Sequence, residues 1–227
     1  MLSIFSQANV RPPHVKLVSN QKLKTWKFAA NYVWREKFTE DKAELGRWTK
    51  GELLELGPTF VKLGQIASTR GDLYPPEFIR ELESLQDNVP AFDYNLVKDK
   101  LNMDIFKSFE ETPFRSASIG QVHKAVLKNG KHVVVKLKRP GIYETMESDT
   151  NTVRKILKFF QTIGVDTGNS SDFVLNDSIE YLLGEADYLQ EVENAIKFKK
   201  AMKGVDWVKI PRVYKRYCTD EMIVMEY

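Results

Sequence analysis

Lys136 stands where a strand lysine could meet an anion. In "KHVVVKLKRPG" the two-residue alternation puts Val133, Val135 and Leu137 on one face of a strand and Val134, Lys136 and Lys138 on the other. Taken alone, Lys136 reads as a solvated strand residue. A buried ammonium needs a carboxylate, because removing one member of a buried pair costs roughly 3–5 kcal/mol. Phosphate chemistry would also need a site for the anion. Upstream, "SASIGQVHKA" gathers Ser116, Ala117, Ser118, Ile119, Gly120 and Gln121 at a turn between strands. Such small and hydroxyl-bearing residues let backbone N–H groups approach phosphate oxygens, though they also suit an ordinary turn. Downstream, "GEADYLQEVEN" offers Glu185, Asp187 and Glu191 around a helix start, with Asp187 and Gln190 at capping-box spacing. A helix cap and a solvated acidic face would account for the same three acids.

A second polar group lies in "FVKLGQIASTRGDLYPPE". At about 100° per residue, Lys62, Gln65 and Thr69 share one helix face, while Phe60, Leu63 and Ala67 take the opposite one. Gly64 permits close approach of a neighbour. The apolar face docks the helix, and the polar face is left for an anion or for the protein's own site.

Other chemistries find less support. His14, His123 and His132 are scattered without metal-ligand spacing. Cys218 is the only cysteine, which excludes an internal disulfide and points to a reducing, intracellular compartment. A net charge of +3 is too small to argue for nucleic acid, and no recognisable RNA or DNA module is present. No apolar run approaches the ~18 residues of a membrane span, so any lipid contact is expected to be peripheral. The first 35 residues carry Arg11, Lys16, Lys22, Lys24, Lys27 and Arg35 and no acid, which fits either a transit peptide or a basic helix packed on the domain.

The elements that must position these groups follow from pattern. Residues 1–21 read as an irregular lead, with "RPP" blocking regular structure. Residues 22–108 read as a helical extension, with a helix ending at Gly57, a restart capped by Thr59, and another helix beginning at Pro76. From residue 109 the period changes to two, with Lys128, Asn129 and Gly130 turning a hairpin. Two helical runs follow, separated by "GVDTGNSS", and "WVKIPRVYKRYCTDEMIVMEY" reads as two strands joined by "TDE". The expected fold class is α+β: an antiparallel sheet of about five strands packed against helices.

Taken in order, the small-residue turn, strand lysine, helix acid and apolar strand ending "VMEY" match the arrangement of a protein-kinase amino-terminal lobe. The sequence resembles the UbiB/aarF-domain (ADCK-type) atypical kinase family, from about residue 40 to the end. "FVKLGQIASTRGDLYPPE" matches the family's Lys-x-Gly-Gln helix (Lys62, Gly64, Gln65). "SASIGQVHKA" stands in place of the glycine-rich loop, "VVVKLKRPGI" carries the nucleotide lysine, and "GEADYLQEVENAIKF" carries the Glu-x-Asp signature (Glu185, Asp187).

The resemblance implies a kinase-like N-lobe over 109–227, preceded by the helical extension, with ATP or ADP as ligand. It implies that the Lys-x-Gly-Gln helix folds over the nucleotide pocket, with its lysine and glutamine facing the site. Lys62 should approach Glu185 or Asp187, Lys136 should contact phosphate and pair with Glu191, and the backbone near Glu226 should meet the adenine. Intact relatives use Mg²⁺ and support quinone and prenyl-lipid metabolism at mitochondrial, plastid or bacterial membranes.

Two departures stand out. Arg115 and Ser116 replace part of the family's alanine-rich run, which bears on nucleotide preference. The catalytic loop and the metal-holding Asp-Phe-Gly should follow "VMEY", where the sequence stops. The expectation is therefore a chain with no C-lobe and no complete metal site, a fragment or one half of a split protein, with little phosphoryl transfer of its own. The alternative is a noncatalytic module whose basic helices bind a membrane surface or a partner protein.

Overall fold

The computed structural model of the chain describes residues 14–86, 91–165 and 171–227. Helices come first: α1 (His14–Phe38), α2 (Lys42–Leu56), α3 (Pro58–Ser68) and α4 (Pro76–Glu83). Each boundary has a local cause. Asp41 caps α2, its carboxylate accepting from the N–H groups of Ala43 and Glu44 at 2.8 and 3.1 Å. Gly57, at φ +98°, ends α2 in a conformation that residues with side chains rarely adopt. Pro58 and Pro76 lie in first turns, where a missing N–H leaves no intrahelical bond unmade. Leu45, Leu53, Phe60, Phe78 and Leu82 close a core between these helices, with Phe28 and Tyr32 of α1 packed against it.

The sheet follows: β1 (Phe106–Phe109), β2 (Arg115–Ser116), β3 (Gly120–Leu127), β4 (His132–Lys138) and β5 (Met222–Glu226). All pairings are antiparallel, in the order β1-β3-β4-β5, and β2 also pairs with β3. β1 and β2 take successive stretches of one edge of β3, opposite Ala125–Leu127 and Gln121–Val122. Pro113, with no N–H to give a ladder, lies in the interruption between them. Between β4 and β5 run α5 (Ile142–Thr162), α6 (Ser171–Glu185) and α7 (Tyr188–Ala201).

Two cores sandwich the sheet. Phe106, Ala125, Val133, Val135, Leu137 and Val224 face one side, where Tyr94 and Val97 cover them. On the other, Ile119 and Ile223 pack with Ile142, Met146, Leu182 and Tyr188 from the helices. Leu63 and Ile66 of α3 join this second core, so the helical extension is fixed to the lobe by apolar burial. The molecule is thus an α+β protein with a kinase-like N-lobe arrangement behind a helical extension.

Several expected boundaries move. The irregular lead lies outside the described residues through 13, and from His14 the chain is already helical. No glycine or proline interrupts 14–38, so nothing in the sequence blocks the helix. The helical extension ends near residue 86. Beyond it come single 3₁₀ turns at Tyr94–Leu96, Lys98–Lys100 and Met103–Ile105, in a segment that belongs to the sheet's core. Asp93 and Asn102 accept from the amides two residues on, at 2.9 and 3.1 Å, which favours tight turns over continuous helix.

Thr59 does not cap α3. Gly57 holds that position, and Thr59 is buried inside the first turn. At the C-terminal end only β5 is a strand. The expected partner strand is reduced to one bridge, Val213 to Met225, next to Pro211 and a 3₁₀ turn at Lys215–Tyr217.

Candidate functional site

β3, β4 and α7 bring the strand lysine and its carboxylate together. Lys136 Nζ donates to both carboxylate oxygens of Glu191, at 2.8 and 2.7 Å. Lys136 is 20% exposed and Glu191 38%, so water still screens the pair, and its contribution lies near the lower end of the ~1.5–3 kcal/mol of charged hydrogen bonds. α7 can present Glu191 because Asp187 caps it, accepting from Gln190 N at 2.9 Å. Asp187 is thereby used in positioning and is not the partner of Lys62.

That partner is Glu185, at 2.7 Å from Lys62 Nζ. Glu185 ends α6 and Glu191 lies in the first turn of α7, on either side of the break at Ala186–Asp187. One lysine from the extension and one from the sheet therefore grip the same helix junction, which mechanically ties α3 to the Glu191 carboxylate that holds Lys136.

Gln65 does something else. Its Nε2 donates to Leu85 O at 3.0 Å, so the side chain fastens α3 to the turn after α4 and does not face the sheet lysine. Gly64 is required in the same packing: a Cβ there would come within 2.6 Å of Leu85 and 2.7 Å of Leu53. The expected polar face of α3 is split, with Lys62 turned to the lobe and Gln65 to the helical core.

The small-residue turn is held from β4. Arg139 Nε donates to Ser118 O at 3.1 Å, and Arg139 N donates to Ile119 O at 2.8 Å. Ala117 N donates to Gly120 O at 2.8 Å, closing the turn. Among the described residues, the N–H groups of Ser118 and Ile119 donate to no other backbone group. The Ser116 hydroxyl is buried without a hydrogen-bond partner among them. Ile119 itself is core, 6% exposed.

Gln121 points to the opposite side of the sheet from Lys136. Its Oε1 accepts from Phe92 N at 3.0 Å and its Nε2 lies 3.1 Å from His123 Nε2, while His123 Nδ1 lies 2.8 Å from Glu110 O. Strand alternation accounts for this, since Gln121 pairs with Leu137 and not with a lysine. The Gln121 side chain is therefore structural. Glu226 is also engaged: its N–H donates to Arg212 O at 2.8 Å, and its carboxylate accepts from Arg212 N at 3.1 Å. The bond from the Arg212 amide, with nearby cations, holds the Glu226 carboxyl below the usual range. Its amide has no donor left for a base.

Three contributors were missed in the sequence: Arg139, Tyr188 and Lys138. The Tyr188 ring lies 4.8 Å from Lys136 Nζ and 5.0 Å from Lys138 Nζ. Burial pushes its phenol well above the usual tyrosine range, with Glu191 and Glu221 adding to the shift. Lys138 was legible from its shared strand face with Lys136. The other two needed the contacts of the turn and of α7. Beside the ion pair, a recess of about 600 Å³, open to solvent, runs along α7 from Glu191 past Asn194 and Phe198 to Ala201.

Comparison with known proteins agrees with this arrangement. The ABC1 atypical kinase-like domain matches residues 84–227. The chloroplastic protein ACTIVITY OF BC1 COMPLEX KINASE 7 of Arabidopsis thaliana is 37% identical over 209 residues, covering 89% of this chain and 30% of its own length. A probable protein kinase UbiB of Cronobacter sakazakii is 37% identical over 193 residues, covering 81% and 35%. An uncharacterized Synechocystis protein is 39% identical over 213 residues, covering 90% and 36%. The chain thus spans about a third of the length of these relatives. Among solved structures, that of Rv3197 with erythromycin, from Mycobacterium tuberculosis, aligns with a TM-score of 0.52 at 28% identity, over 72% of this chain and 43% of that one. With the paired lysine, the gripped helix junction and the pinned turn in place, the chain belongs to the ABC1 atypical kinase-like family, with UbiB and aarF-domain kinases among its relatives.

Proposed function

We propose that this chain is the nucleotide-holding lobe of an atypical kinase or ATPase and binds ATP or ADP. The observation that carries the reading is the Lys136–Glu191 pair, at 2.7–2.8 Å, beside a turn pinned by Arg139. An ammonium fixed by a carboxylate is oriented for phosphate before the ligand arrives, which lowers the ordering cost of binding. Ser118 and Ile119 offer amides on the same turn. When bound, Mg²⁺ would neutralise phosphate charge, but among the described residues no three carboxylate, imidazole or thiol groups gather to hold it. Lys136 and the turn would hold the phosphates and exclude water from them.

Phosphoryl transfer falls, on this reading, to groups in the remaining two thirds of the relatives' length, and these residues alone give little of it. The pathway served is proposed to be quinone or prenyl-lipid metabolism, in a plastid, mitochondrion or bacterium. Titration of the chain with ADP and ATP by calorimetry tests the binding. Saturable binding is expected, weakened by at least about tenfold in Lys136→Ala, the loss of one charged hydrogen-bonding partner. A variant that binds as tightly as the wild type would remove Lys136 from the phosphate site.

A second reading has its own observation. Leu23, Trp34 and Phe38 are exposed along α1, at 69%, 62% and 62%. Lys24, Lys27 and Lys37 accompany them, so the helix offers an apolar stripe flanked by cations, suited to an anionic lipid surface. No helix among the described residues is long and apolar enough to cross a membrane. Flotation with anionic liposomes that survives Lys136→Ala and fails in Trp34→Ala/Phe38→Ala would support a surface-binding role. Equal flotation with neutral liposomes would count against it.

A further inference from the structure

The lysine that no motif claims is Lys138. It stands two residues beyond Lys136 on the same face of β4, about 7 Å along the strand. That spacing is wider than one phosphate group and within the reach of two linked ones. The other two lysines around the junction are already neutralised, Lys62 by Glu185 and Lys136 by Glu191. No carboxylate of the described residues lies within 4.0 Å of Lys138 Nζ. Glu221, whose backbone carbonyl accepts from Lys138 N at 2.9 Å, is the nearby acid that does not pair with it.

What touches the Lys138 ammonium instead is the face of Tyr188, 5.0 Å away, the same ring that lies 4.8 Å from Lys136. A ring attracts a cation without cancelling its charge, so Lys138 is held in place and still available to an anion. The ring is itself immobile. Tyr188 is 0% exposed, and its hydroxyl is buried with no hydrogen-bond partner among the described residues. That hydroxyl is aimed at Gly120, the residue opposite Lys138 in the β3–β4 register. A Cβ at 120 would lie 2.4 Å from it and 2.5 Å from Leu137 O. The absence of a side chain at 120 therefore admits the phenol beneath the two lysines.

We infer that Lys138 is a second phosphate-binding cation, and that with Lys136 it forms a two-ammonium seat, organised on the Tyr188 ring, that selects ligands carrying at least two linked phosphates. This rests on the nucleotide reading above and deepens it: Lys136 serves any nucleotide, and Lys138 separates diphosphates and triphosphates from monophosphates.

The test is calorimetric titration of the full 227-residue chain with ADP and with AMP, in wild type, Lys138→Gln, Lys138→Arg and Lys136→Ala, with melting curves to verify folding. In Lys138→Gln, ADP affinity is expected to fall about tenfold and AMP affinity by less than about twofold, as for loss of one charge-assisted contact. Lys138→Arg keeps the charge and should retain ADP affinity within about threefold. Unchanged ADP binding in Lys138→Gln, beside weakened binding in Lys136→Ala, would overturn the inference and leave the nucleotide reading standing. Equal losses for AMP and ADP, or equal ADP losses in the Gln and Arg variants, would also overturn it by showing a merely structural role. Failure of the wild type to bind either nucleotide would overturn both.

Discussion

The two faces of β3 and β4 differ although alternate residues of the same two strands build them. Toward one side go Gln121, His123, Val133, Val135 and Leu137, all buried. Toward the other go Gly120, Val122 and Lys124, opposite Lys138, Lys136 and Val134 in register and, apart from the buried Gly120, partly open. The first face satisfies every polar group it buries: Gln121 accepts from Phe92 and meets His123, which meets Glu110. The second holds cations over a buried ring and keeps a hydroxyl without a partner. One face is finished by the protein itself, and the other offers charge that a ligand could complete. A one-residue slip in register would exchange them, which is why the hairpin turn at Gly130 matters to the site as much as to the fold.

The strongest way to break the comparison is to damage the finished face. Leu137 is 0% exposed in the core beneath the sheet. Leu137→Ala should cost about 2–5 kcal/mol of unfolding free energy, as truncated core leucines do. Urea denaturation measures this. Where the variant is still folded, ADP affinity should change little, because the side chain turns away from the lysines. A stability loss below about 1 kcal/mol would mean that this face collapses around the cavity and is less closely packed than its burial indicates.

Gly120→Ala sharpens the comparison by striking the open face and the backbone of the neighbouring strand at once. The added methyl meets the Tyr188 hydroxyl on the open side and the Leu137 carbonyl oxygen of the neighbouring strand. The latter is backbone and cannot rotate aside. A destabilisation of roughly 1–3 kcal/mol is expected from overpacking. Nucleotide binding should weaken with it, because the displaced ring carries both ammoniums. Thermal melts and the same titrations report the two effects. A variant that loses stability but keeps full ADP affinity would separate Tyr188 from the site.

Strand alternation made the two faces legible in advance. Period two is a local property, and it alone separates Val133, Val135 and Leu137 from Val134, Lys136 and Lys138. The helix starts were legible where a cap or a first-turn proline marks them, as at Asp187 and Pro76. What escaped was set by partners distant in sequence. Gln65 shares a helical face with Lys62 on a wheel, but Leu85 O, 20 residues on, claims it. Gln121 sits in a loop motif, but the Phe92 amide, 29 residues earlier, draws it into the core. Arg139 reads as a charge after a strand until the carbonyls of Ser118 and Ile119 appear beside it. Over 94–105 the spacing of apolar residues fits an α-helix and a chain of tight turns equally, so the pattern alone cannot reveal the turns.

The smallest expected effect belongs to His123 and comes from the completeness of the buried face. Because Gln121 Oε1 accepts from Phe92 N, its Nε2 must donate to His123 Nε2. The imidazole then carries its one proton on Nδ1 and donates it to Glu110 O. A second proton on Nε2 would face a donor inside the core. Burial accordingly lowers the folded pKa below the ordinary 6.5, with the Glu110 bond only partly opposing the shift. The folded state thus binds fewer protons than the unfolded one below that value, so this contribution to stability is complete above pH 6.5 and is lost as pH falls toward the folded pKa. Asp149 runs the other way: burial raises its carboxyl above 3.8, and the nearby Thr59 hydroxyl opposes this without closing a hydrogen bond, so its share declines as pH rises from that value. Comparing the wild type with His123→Phe, which keeps an aromatic ring beside Phe109 and Tyr94, cancels the Asp149 contribution. Urea midpoints should show the wild type losing ground to the variant below pH 6.5, by no more than about 1.4 kcal/mol per pH unit. Parallel curves through that range would mean that the imidazole titrates alike in both states, and that the buried face is less sealed than its hydrogen bonds require.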